Sequence, residues 1–334
     1  MRQIPLDAIT DAANHVYAAA VRTPLIRLDL PFDASPAEIY LKLESLQPIG
    51  SFKIRGAWNA IRKLPKERLR DGVWTVSAGN AAQGVAFAAR LARVPCSVMV
   101  MDTAPQAKLR AIERLGAAIV QCTYDECWKT VESHASARMR GHFVHPFDDD
   151  DFIAGNATAG LEILEDLPDV DVVVAALGGG GLLSGIASAV RAKKPGVKIF
   201  AAEPETAAPL STSLARGAAS YFEHWQPSFV DGAGGKSVLP TMWPLLERLV
   251  DGSIVVPLND VAAAMKLAAE RVHVVAEGAG ATAIAAALSG RAGTGKIVAV
   301  VSGGNIDLTR FAELVGALRG PHDADFASWG AKHV

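Results

Sequence analysis

One lysine, Lys53, lies in the stretch "PIGSFKIRGAWNAI" at residues 48–61, where it could act as a nucleophile or a base. At about 100° per residue, it falls on the apolar side of the predicted helix, with Ala57, Ala60 and Leu64. Most lysines near the start of a helix extend outward and keep the ammonium in water. A desolvated lysine instead has a lowered pKa, and its neutral amine can attack an aldehyde or take a proton. The segment alone leaves both interpretations open.

Four consecutive glycines, Gly178 to Gly181, follow a predicted buried strand and precede a helix in "VVVAALGGGGLLSGIASAV". Glycines leave the backbone N–H groups accessible, and a helix N-terminus adds partial positive charge, so this loop can bind a phosphate. A dinucleotide site is the rival, because Glu203 ends the next strand at a spacing that suits a ribose-binding acid. No register yields G-x-G-x-x-G, since the third position counted from Gly179 is Ser184. A lone phosphate monoester therefore fits the loop better.

Two further polar turns end predicted strands, "SAGN" at residues 77–80 and "SGGN" at residues 302–305. The first begins a helix whose free N–H groups suit a carboxylate, although an ordinary helix cap would look the same. All these features follow strands, and open α/β sheets bind ligands at the carboxyl ends of their strands. A lysine that can trap an aldehyde, a phosphate loop and a carboxylate turn together describe a pyridoxal phosphate enzyme that acts on amino acids.

The scaffold that positions these residues is predicted to be α/β, because short β-rich runs alternate with alanine-rich helical runs. The strands are continuous apolar runs, which favours a parallel sheet buried on both faces. Eight or nine strands exceed what one compact sheet readily holds, so we expect two α/β domains. The acidic run from Asp148 to Asp151 is expected to be a solvated turn rather than a metal site, since consecutive side chains diverge. A helix is expected after it, near residues 158–167.

Composition limits the class of partner. The chain has 334 residues and a formal net charge of −2, which provides no electrostatic footprint for nucleic acid or an anionic membrane. The three cysteines, Cys96, Cys122 and Cys127, form no CxxC pair, as is typical of a reducing cytosol. There is no signal peptide pattern and no run of roughly 20 apolar residues. We predict a cytoplasmic protein whose partner is a small molecule, with no nucleic acid and no membrane.

The quoted motifs also resemble those of a known family. The segments are "LKLESLQPIGSFKIRGA", "SAGNAAQGVAFAARL", "FDDDDFIAGNATAG", "LGGGGLLSGI", "AAEPETAA" and "VSGGNID". In this order they resemble the threonine dehydratase–serine racemase group of the tryptophan synthase β-like pyridoxal phosphate enzymes, fold type II, from about Thr23 to Asp307. The resemblance implies two parallel-type α/β domains. The large cofactor-binding domain would comprise residues 1–66 and 147–334, and the small mobile domain residues 67–146.

The resemblance implies a role for each matching residue. Lys53 would form a Schiff base with the cofactor and, once the substrate amine displaces it, would take the Cα proton. The β-hydroxyl of the amino acid would then leave, and a 2-oxo acid and ammonia would follow. The other cofactor contacts would be Phe52 at the ring, Asn80 at the 3′-oxygen, Ser302 at the pyridine nitrogen, and Gly178, Gly179, Gly180, Gly181 and Leu182 at the phosphate. The substrate carboxylate would lie among Ser77, Gly79, Asn80 and Ala81.

Several positions around the expected substrate depart from the family pattern. Ala78 stands where racemising relatives have a serine, which predicts negligible racemisation. Ala81 stands where the dehydratases usually have histidine, and Asn156 occupies an expected pocket position. The segment 231–243 also differs from the family pattern. Because the loss of an imidazole makes room, threonine, serine and the bulkier phenylserine are all open as substrates.

Some relatives bind a cation through a glutamate and a carbonyl four residues on, which here would be Glu203 and Ala207. The family's further aspartate falls at Pro209, which argues against a metal. The remaining alternatives are a β-replacement synthase or racemase of the same fold, a non-catalytic ligand-binding protein on this scaffold and, remotely, a NAD-dependent oxidoreductase. The oligomeric state is open, with a homodimer as one option.

Overall fold

The computed structural model describes residues 2–30 and 37–317, so the end of the predicted large domain, residues 318–334, lies outside the described residues. The strands are β1 Leu25–Arg27, β2 Ala37–Lys42, β3 Val73–Val76, β4 Cys96–Met101, β5 Ala118–Cys122, β6 His142–Phe143, β7 Val172–Ala176, β8 Lys198–Pro204, β9 Gly252–Val256 and β10 Gly295–Val300. The helices are α1 Leu6–His15, α2 Lys53–Arg62, α3 Lys66–Leu69, α4 Asn80–Ala92, α5 Gln106–Arg114, α6 Tyr124–Ser133, α7 Asp150–Asp166, α8 Gly181–Lys193, α9 Pro209–Arg216, α10 Trp243–Leu249, α11 Leu258–Leu267, α12 Gly278–Leu288 and α13 Leu308–Gly316.

The larger sheet has six strands in the order β1-β2-β10-β7-β8-β9. All of its pairs are parallel except β1 with β2. Alternate residues of β7 belong to opposite cores: Val173 and Ala175 pack with α7 and α8, and Val172 and Val174 pack with α11 and α12. Helices therefore cover both faces, which explains why the strands read as continuous apolar runs.

The smaller sheet has four strands in the order β5-β4-β3-β6, and all of its pairs are parallel. It is built from residues 73–143, which lie within the predicted small domain. Helices α2 and α4 pack together beside it and share one apolar cluster with β3 and β4. The boundaries and the mobility of this domain stay predictions.

The described residues contain ten strands, rather than the eight or nine expected, because the short strands β1 and β6 carry little sequence signal. The acidic run from Asp148 to Asp151 was expected to be a solvated turn. Its last two residues instead begin α7. Asp149 caps this helix by accepting a hydrogen bond from the backbone N–H of Phe152 at 2.7 Å. Asp148 is buried and forms an ion pair with Arg2. Helix α7 thus begins at Asp150, eight residues before the expected position near 158.

The polar side of α2 is also buried. Arg55 is 0% exposed and donates to Glu44 Oε2 at 2.7 Å and to Glu162 Oε1 at 2.6 Å. Glu162 belongs to α7, so this ion cluster joins α7 to the helix that begins with Lys53. The periodicity of α2 gave no sign of it, because an arginine opposite an apolar face usually points to water.

Candidate active site

Lys53 is the first residue of α2 and lies at the carboxyl end of β10. The residues before it pair with the turn that follows this strand: Ser51 forms a bridge with Gly303, and the N–H of Phe52 donates to the carbonyl of Ser302 at 3.1 Å. Helix α4 crosses close by, since a Cβ added to Gly84 would lie 3.0 Å from the Lys53 carbonyl oxygen. The turn after β10 and the helix that follows β3 therefore meet at this lysine.

Lys53 is partly buried, and its amine lies against protein groups. Its Nζ donates to the carbonyl oxygen of Pro146 at 2.5 Å and lies 5.2 and 5.4 Å from the ring centres of Phe52 and Phe152. Burial lowers the pKa of Lys53 from 10.5 to about 8, because a charged ammonium loses hydration there. This geometry favours a chemical role over a lysine that extends into solvent.

The glycine loop packs so tightly that side chains would not fit. A Cβ at Gly178 would lie 2.5 Å from the carbonyl oxygen of Gly232, and one at Gly179 would overlap the ring of Phe147. Gly180 has a φ of 91°, a left-handed conformation that favours glycine. Within residues 2–30 and 37–317, the backbone N–H groups from Gly178 to Leu182 donate to no protein acceptor. Free N–H groups at the start of α8 are what a phosphate requires.

One short segment connects the lysine and the glycine loop. Pro146 accepts the hydrogen bond from Lys53, and the next residue, Phe147, packs against Gly179 and Gly181. The two features are 125 residues apart along the chain, as counted from Lys53 to Gly178. The tertiary structure brings them to the same end of the larger sheet.

The turn at residues 77–80 begins α4, as expected, and faces open space. Nothing lies within 4 Å of a Cβ built on Gly79. Its own N–H donates to Ser77 Oγ at 3.1 Å, whereas in the described residues the next three N–H groups, from Asn80 to Ala82, have no protein acceptor. Ala81 is 4% exposed, in the first turn of α4. The helix N-terminus therefore offers free donors beside a space where a carboxylate could lie.

Asn80 forms bonds that the sequence did not indicate. Its Nδ2 donates to Glu277 Oε1 at 2.7 Å, and its Oδ1 accepts from Asn305 Nδ2 at 2.7 Å. Glu277 directly precedes α12, and burial raises its pKa to about 8. A glutamate just before a helix inside the apolar run "VVAEGAGATAIAA" was the available signal for this residue.

Ser302 follows β10 and is 4% exposed. Its hydroxyl makes no hydrogen bond with any of the described residues, although its carbonyl is bonded to Phe52. A free hydroxyl beside Lys53 can donate to a ring nitrogen or accept from one.

Asn156 lies on α7 and is 0% exposed. Its Cβ is 3.1 Å from the position of a Cβ on Gly185, so it packs against the first turns of α8. Neither its Nδ2 nor its Oδ1 finds a hydrogen-bond partner among the described residues. Its role in a substrate pocket stays a prediction that this packing does not favour.

The predicted cation ligands do not fit a metal. The carboxylate of Glu203 accepts from the N–H groups of Leu210 and Ser211, each at 2.8 Å, and from Ser253 Oγ at 2.5 Å. Protein donors at the start of α9 thus already use both oxygens. Pro209, at the position of the further aspartate, is the first residue of this helix and has no side-chain oxygen.

A second cluster of possible metal ligands was not anticipated. Donor atoms of His134, His145 and Asp148 lie within 4.8 Å of one another beside a cavity of about 480 Å³. However, His145 Nδ1 accepts from the N–H groups of Phe147 and Asp148, at 3.2 and 2.7 Å. Both oxygens of Asp148 are bonded as well, to Arg2 and to Thr241. Because His145 and Asp148 already bond to protein groups, we interpret their role as stabilising the segment 145–148.

The residues present therefore fit pyridoxal phosphate: a lysine with a lowered pKa, a phosphate cradle that no Cβ could enter and a free serine hydroxyl. Known proteins similar to this chain agree with this cofactor. A family profile described as "Pyridoxal-phosphate dependent enzyme" matches residues 16–303. An L-threonine ammonia-lyase of Thermotoga maritima is 39% identical over 315 residues, 93% of this chain and 78% of that protein.

Racemases are also among the similar proteins. A serine racemase of Dictyostelium discoideum is 33% identical over 322 residues, 94% of this chain and 99% of that protein. The solved structure of maize serine racemase has a TM-score of 0.83 at 32% identity and covers 93% of this chain and 96% of its own. The predicted fold class, the cofactor and the enzyme class, a lyase that depends on pyridoxal phosphate, are confirmed. The chain therefore belongs to the pyridoxal-phosphate dependent enzyme family, in the fold-type II group that contains threonine ammonia-lyases and serine racemases.

Proposed function

We propose that the protein is a dehydratase that eliminates water from a β-hydroxy-α-amino acid and yields a 2-oxo acid and ammonia. The observation that carries this proposal is the Lys53 amine, desolvated and bonded to Pro146 at 2.5 Å, between a phosphate loop and a free helix N-terminus. Relatives named L-threonine ammonia-lyase support it, at 39% and 38% identity.

Each part of the site has a task in this reaction. When bound, pyridoxal phosphate supplies an aldehyde for the substrate amine and a ring that delocalises the charge left at Cα. The N–H groups at the start of α8 bind the phosphate, and those at the start of α4 bind the substrate carboxylate. With the carboxylate held there, the neutral amine of Lys53 takes the proton from Cα. With a pKa of about 8, roughly a tenth of Lys53 is neutral at pH 7, several hundred times more than for a lysine with a pKa of 10.5.

A substrate assay with the purified holoenzyme tests the proposal. We expect 2-oxo acid and ammonia to form in equal amounts without any added nucleophile, which separates elimination from β-replacement. Lys53→Ala should lower kcat by roughly a factor of 10³ or more, because it removes the base and the covalent attachment. Lys66→Ala, which removes an exposed lysine, should keep full activity. Turnover that needs an added nucleophile would refute the dehydratase.

Racemisation is the competing activity within the group. Ala78 lies in the turn before α4 and has a methyl group, which cannot hold or move a proton, where racemising relatives have a serine. We therefore expect proton transfer on only one face of Cα. Chiral chromatography of a single serine enantiomer should show negligible inversion while ammonia accumulates, and inversion at a rate comparable to ammonia release would refute this part of the proposal.

The substrate is proposed to be larger than threonine, with phenylserine as the first compound to test. The support is Ala81 in the first turn of α4, where the dehydratases usually have histidine, because a methyl group takes up less volume than an imidazole. A comparison of kcat/KM for threonine, serine and threo-phenylserine decides the point, and Ala81→His should shift the preference towards threonine. A strong threonine preference of the unmodified enzyme would refute the enlarged pocket.

A further inference from the structure

The amide of Asn80 is held from both ends by side chains that have no place in the proposed reaction. Asn305 Nδ2 donates to the backbone carbonyl of Ile49 at 2.8 Å and to Asn80 Oδ1 at 2.7 Å. Asn80 Nδ2 in turn donates to Glu277 Oε1 at 2.7 Å. Three side chains thus form a continuous row of hydrogen bonds that ends at a backbone carbonyl.

This row determines which way the Asn80 amide points. A backbone carbonyl can only accept, so the atom of Asn305 that faces Ile49 must be the nitrogen. Both hydrogens of that nitrogen are then used, one on Ile49 and one on Asn80, and Asn80 must present its oxygen to Asn305. Its nitrogen consequently faces Glu277. The oxygen bonded there accepts whether Glu277 is ionised or protonated, since even a carboxylic acid keeps acceptor capacity.

One hydrogen of the Asn80 amide remains unused. Asn80 Nδ2 has a single acceptor among the described residues, Glu277, and an amide nitrogen carries two hydrogens. A reversed amide would face hydrogen to hydrogen at Asn305 and lose that bond, and with Glu277 ionised it would also face oxygen to oxygen at Glu277. The row therefore leaves a donor, and not an acceptor, on the free side of Asn80.

The row is attached to the turn that carries Ser302. Glu277 is 5% exposed, and its backbone N–H donates to the carbonyl of Gly303 at 3.0 Å. A Cβ on Gly303 would overlap Glu277 Oε1 and would lie 3.1 Å from Asn80 Nδ2. Only a glycine at this position lets Asn80 and Glu277 meet. Because Glu277 bonds both to Gly303 and to Asn80, it connects the turn after β10 to the start of α4.

We propose that Asn305 and Glu277 are positioning residues that orient the Asn80 amide, so that its remaining N–H serves the 3′-oxygen of pyridoxal phosphate. The inference rests on the role of Asn80 at the cofactor, which is part of the proposed site. It assigns a function to two side chains that lie 225 and 197 residues from Asn80 in sequence. Neither is placed at the reacting atoms, and each acts through Asn80.

Two substitutions reverse or remove the orientation. Asn305→Asp replaces the donor by an acceptor, so Asn80 can bond it only by turning its nitrogen towards it. Glu277→Leu removes the acceptor at the other end. For both we expect the dissociation constant of pyridoxal phosphate to rise roughly three- to tenfold, as for one lost hydrogen bond, and the visible absorption maximum of the bound cofactor to shift. Glu277→Gln keeps a carbonyl oxygen for Asn80 and should retain the original affinity and absorption maximum.

Asn59→Ala is the matched control. Asn59 is 0% exposed and donates to the carbonyl of Asp151 at 2.6 Å, so its loss also removes a buried asparagine bond. It should lower the Tm of the apoprotein and leave the absorption maximum unchanged. The proposal is overturned if Asn305→Asp and Glu277→Leu bind the cofactor with the original affinity and spectrum, or if Asn59→Ala shifts the spectrum as they do. No readout requires turnover, so a failure of the proposed dehydratase reaction would leave this result standing.

Discussion

We propose that Lys53 carries the chemistry because its surroundings change its acidity. Its ordinary pKa of 10.5 is lowered to about 8 by burial, since the charged form loses water and no carboxylate among the described residues pairs with it. Only the neutral amine attacks an aldehyde, so the apoprotein should capture pyridoxal phosphate faster as the pH rises through about 8 and should level off above it. Stopped-flow absorbance against pH measures this. A rate that keeps rising to pH 10 would show that Lys53 is solvated.

Gly79 allows the carboxylate site to be tested without disturbing the fold. A methyl group at this position would meet no atom within 4 Å, and Gly79 has a negative φ of −120°, so Gly79→Ala should leave the Tm and the cofactor affinity unchanged. The methyl group would occupy the space in front of the free N–H groups of α4, so we expect KM to rise at least tenfold, about 1.4 kcal/mol of lost binding.

Gly196→Ala is the control for this prediction. Gly196 also has nothing within 4 Å of an added Cβ, but it lies in the connection between α8 and β8 and outside the proposed site. It should leave KM, Tm and cofactor affinity as they were. If Gly79→Ala behaved like Gly196→Ala, the carboxylate would have to bind elsewhere.

At the scale of elements, α2 and α7 are joined by a buried ion cluster. Arg55 lies between Glu44 and Glu162 with 0%, 0% and 2% side-chain exposure, and Lys42 adds a bond to Glu162 at 2.6 Å. Removing one partner from such a cluster leaves a buried charge without compensation. Arg55→Met should therefore lower the free energy of unfolding by about 3–5 kcal/mol, measured by denaturant unfolding of the apoprotein.

An exposed ion pair provides the comparison. Arg216 and Glu223 are 54% and 69% exposed, so Arg216→Met should change stability by less than about 1 kcal/mol. Equal effects of the two substitutions would mean that the Arg55 cluster is as well solvated as the surface, contrary to its burial. The position of α2, and with it of Lys53, would then need another explanation.

At the scale of the whole molecule, two contacts join the unit of the smaller sheet to the segment 217–243. Lys108 of α5 forms an ion pair with Asp231. The ammonium of Lys236 lies 4.2 Å from the ring centre of Trp225 and 4.6 Å from that of Tyr124, the first residue of α6. The site lies where these two parts of the molecule meet, so we propose that both contacts keep the two parts together around the cofactor.

A double-mutant cycle measures the aromatic contact. Lys236→Met and Tyr124→Leu should each raise the rate of cofactor dissociation about two- to fivefold, and the double variant should show a coupling of about 0.5–1 kcal/mol, as for a partly exposed cation–π pair. Strictly additive effects would indicate that the two residues do not act together. Lys66→Met serves as the control, because Lys66 is exposed.

How much was predictable depends on how local the signal is. The phosphate loop and the turn at residues 77–80 were predicted because glycine runs and polar turns after apolar strands are local patterns with a direct physical meaning. Lys53 was only suggested by periodicity. The start of α7 was misplaced, because four adjacent aspartates resemble a solvated turn until their partners, among them Arg2 and Lys63, are known.

The sequence by itself determined the α/β class and indicated residues that could bind a phosphate and an aldehyde, because each follows from a short pattern of side chains. Only the tertiary structure decided that Lys53 loses its water, that Arg55 is buried and that Asn80 lies between Glu277 and Asn305. These outcomes depend on which distant segments meet, and a pKa or an amide orientation is set by the atoms on every side of a group.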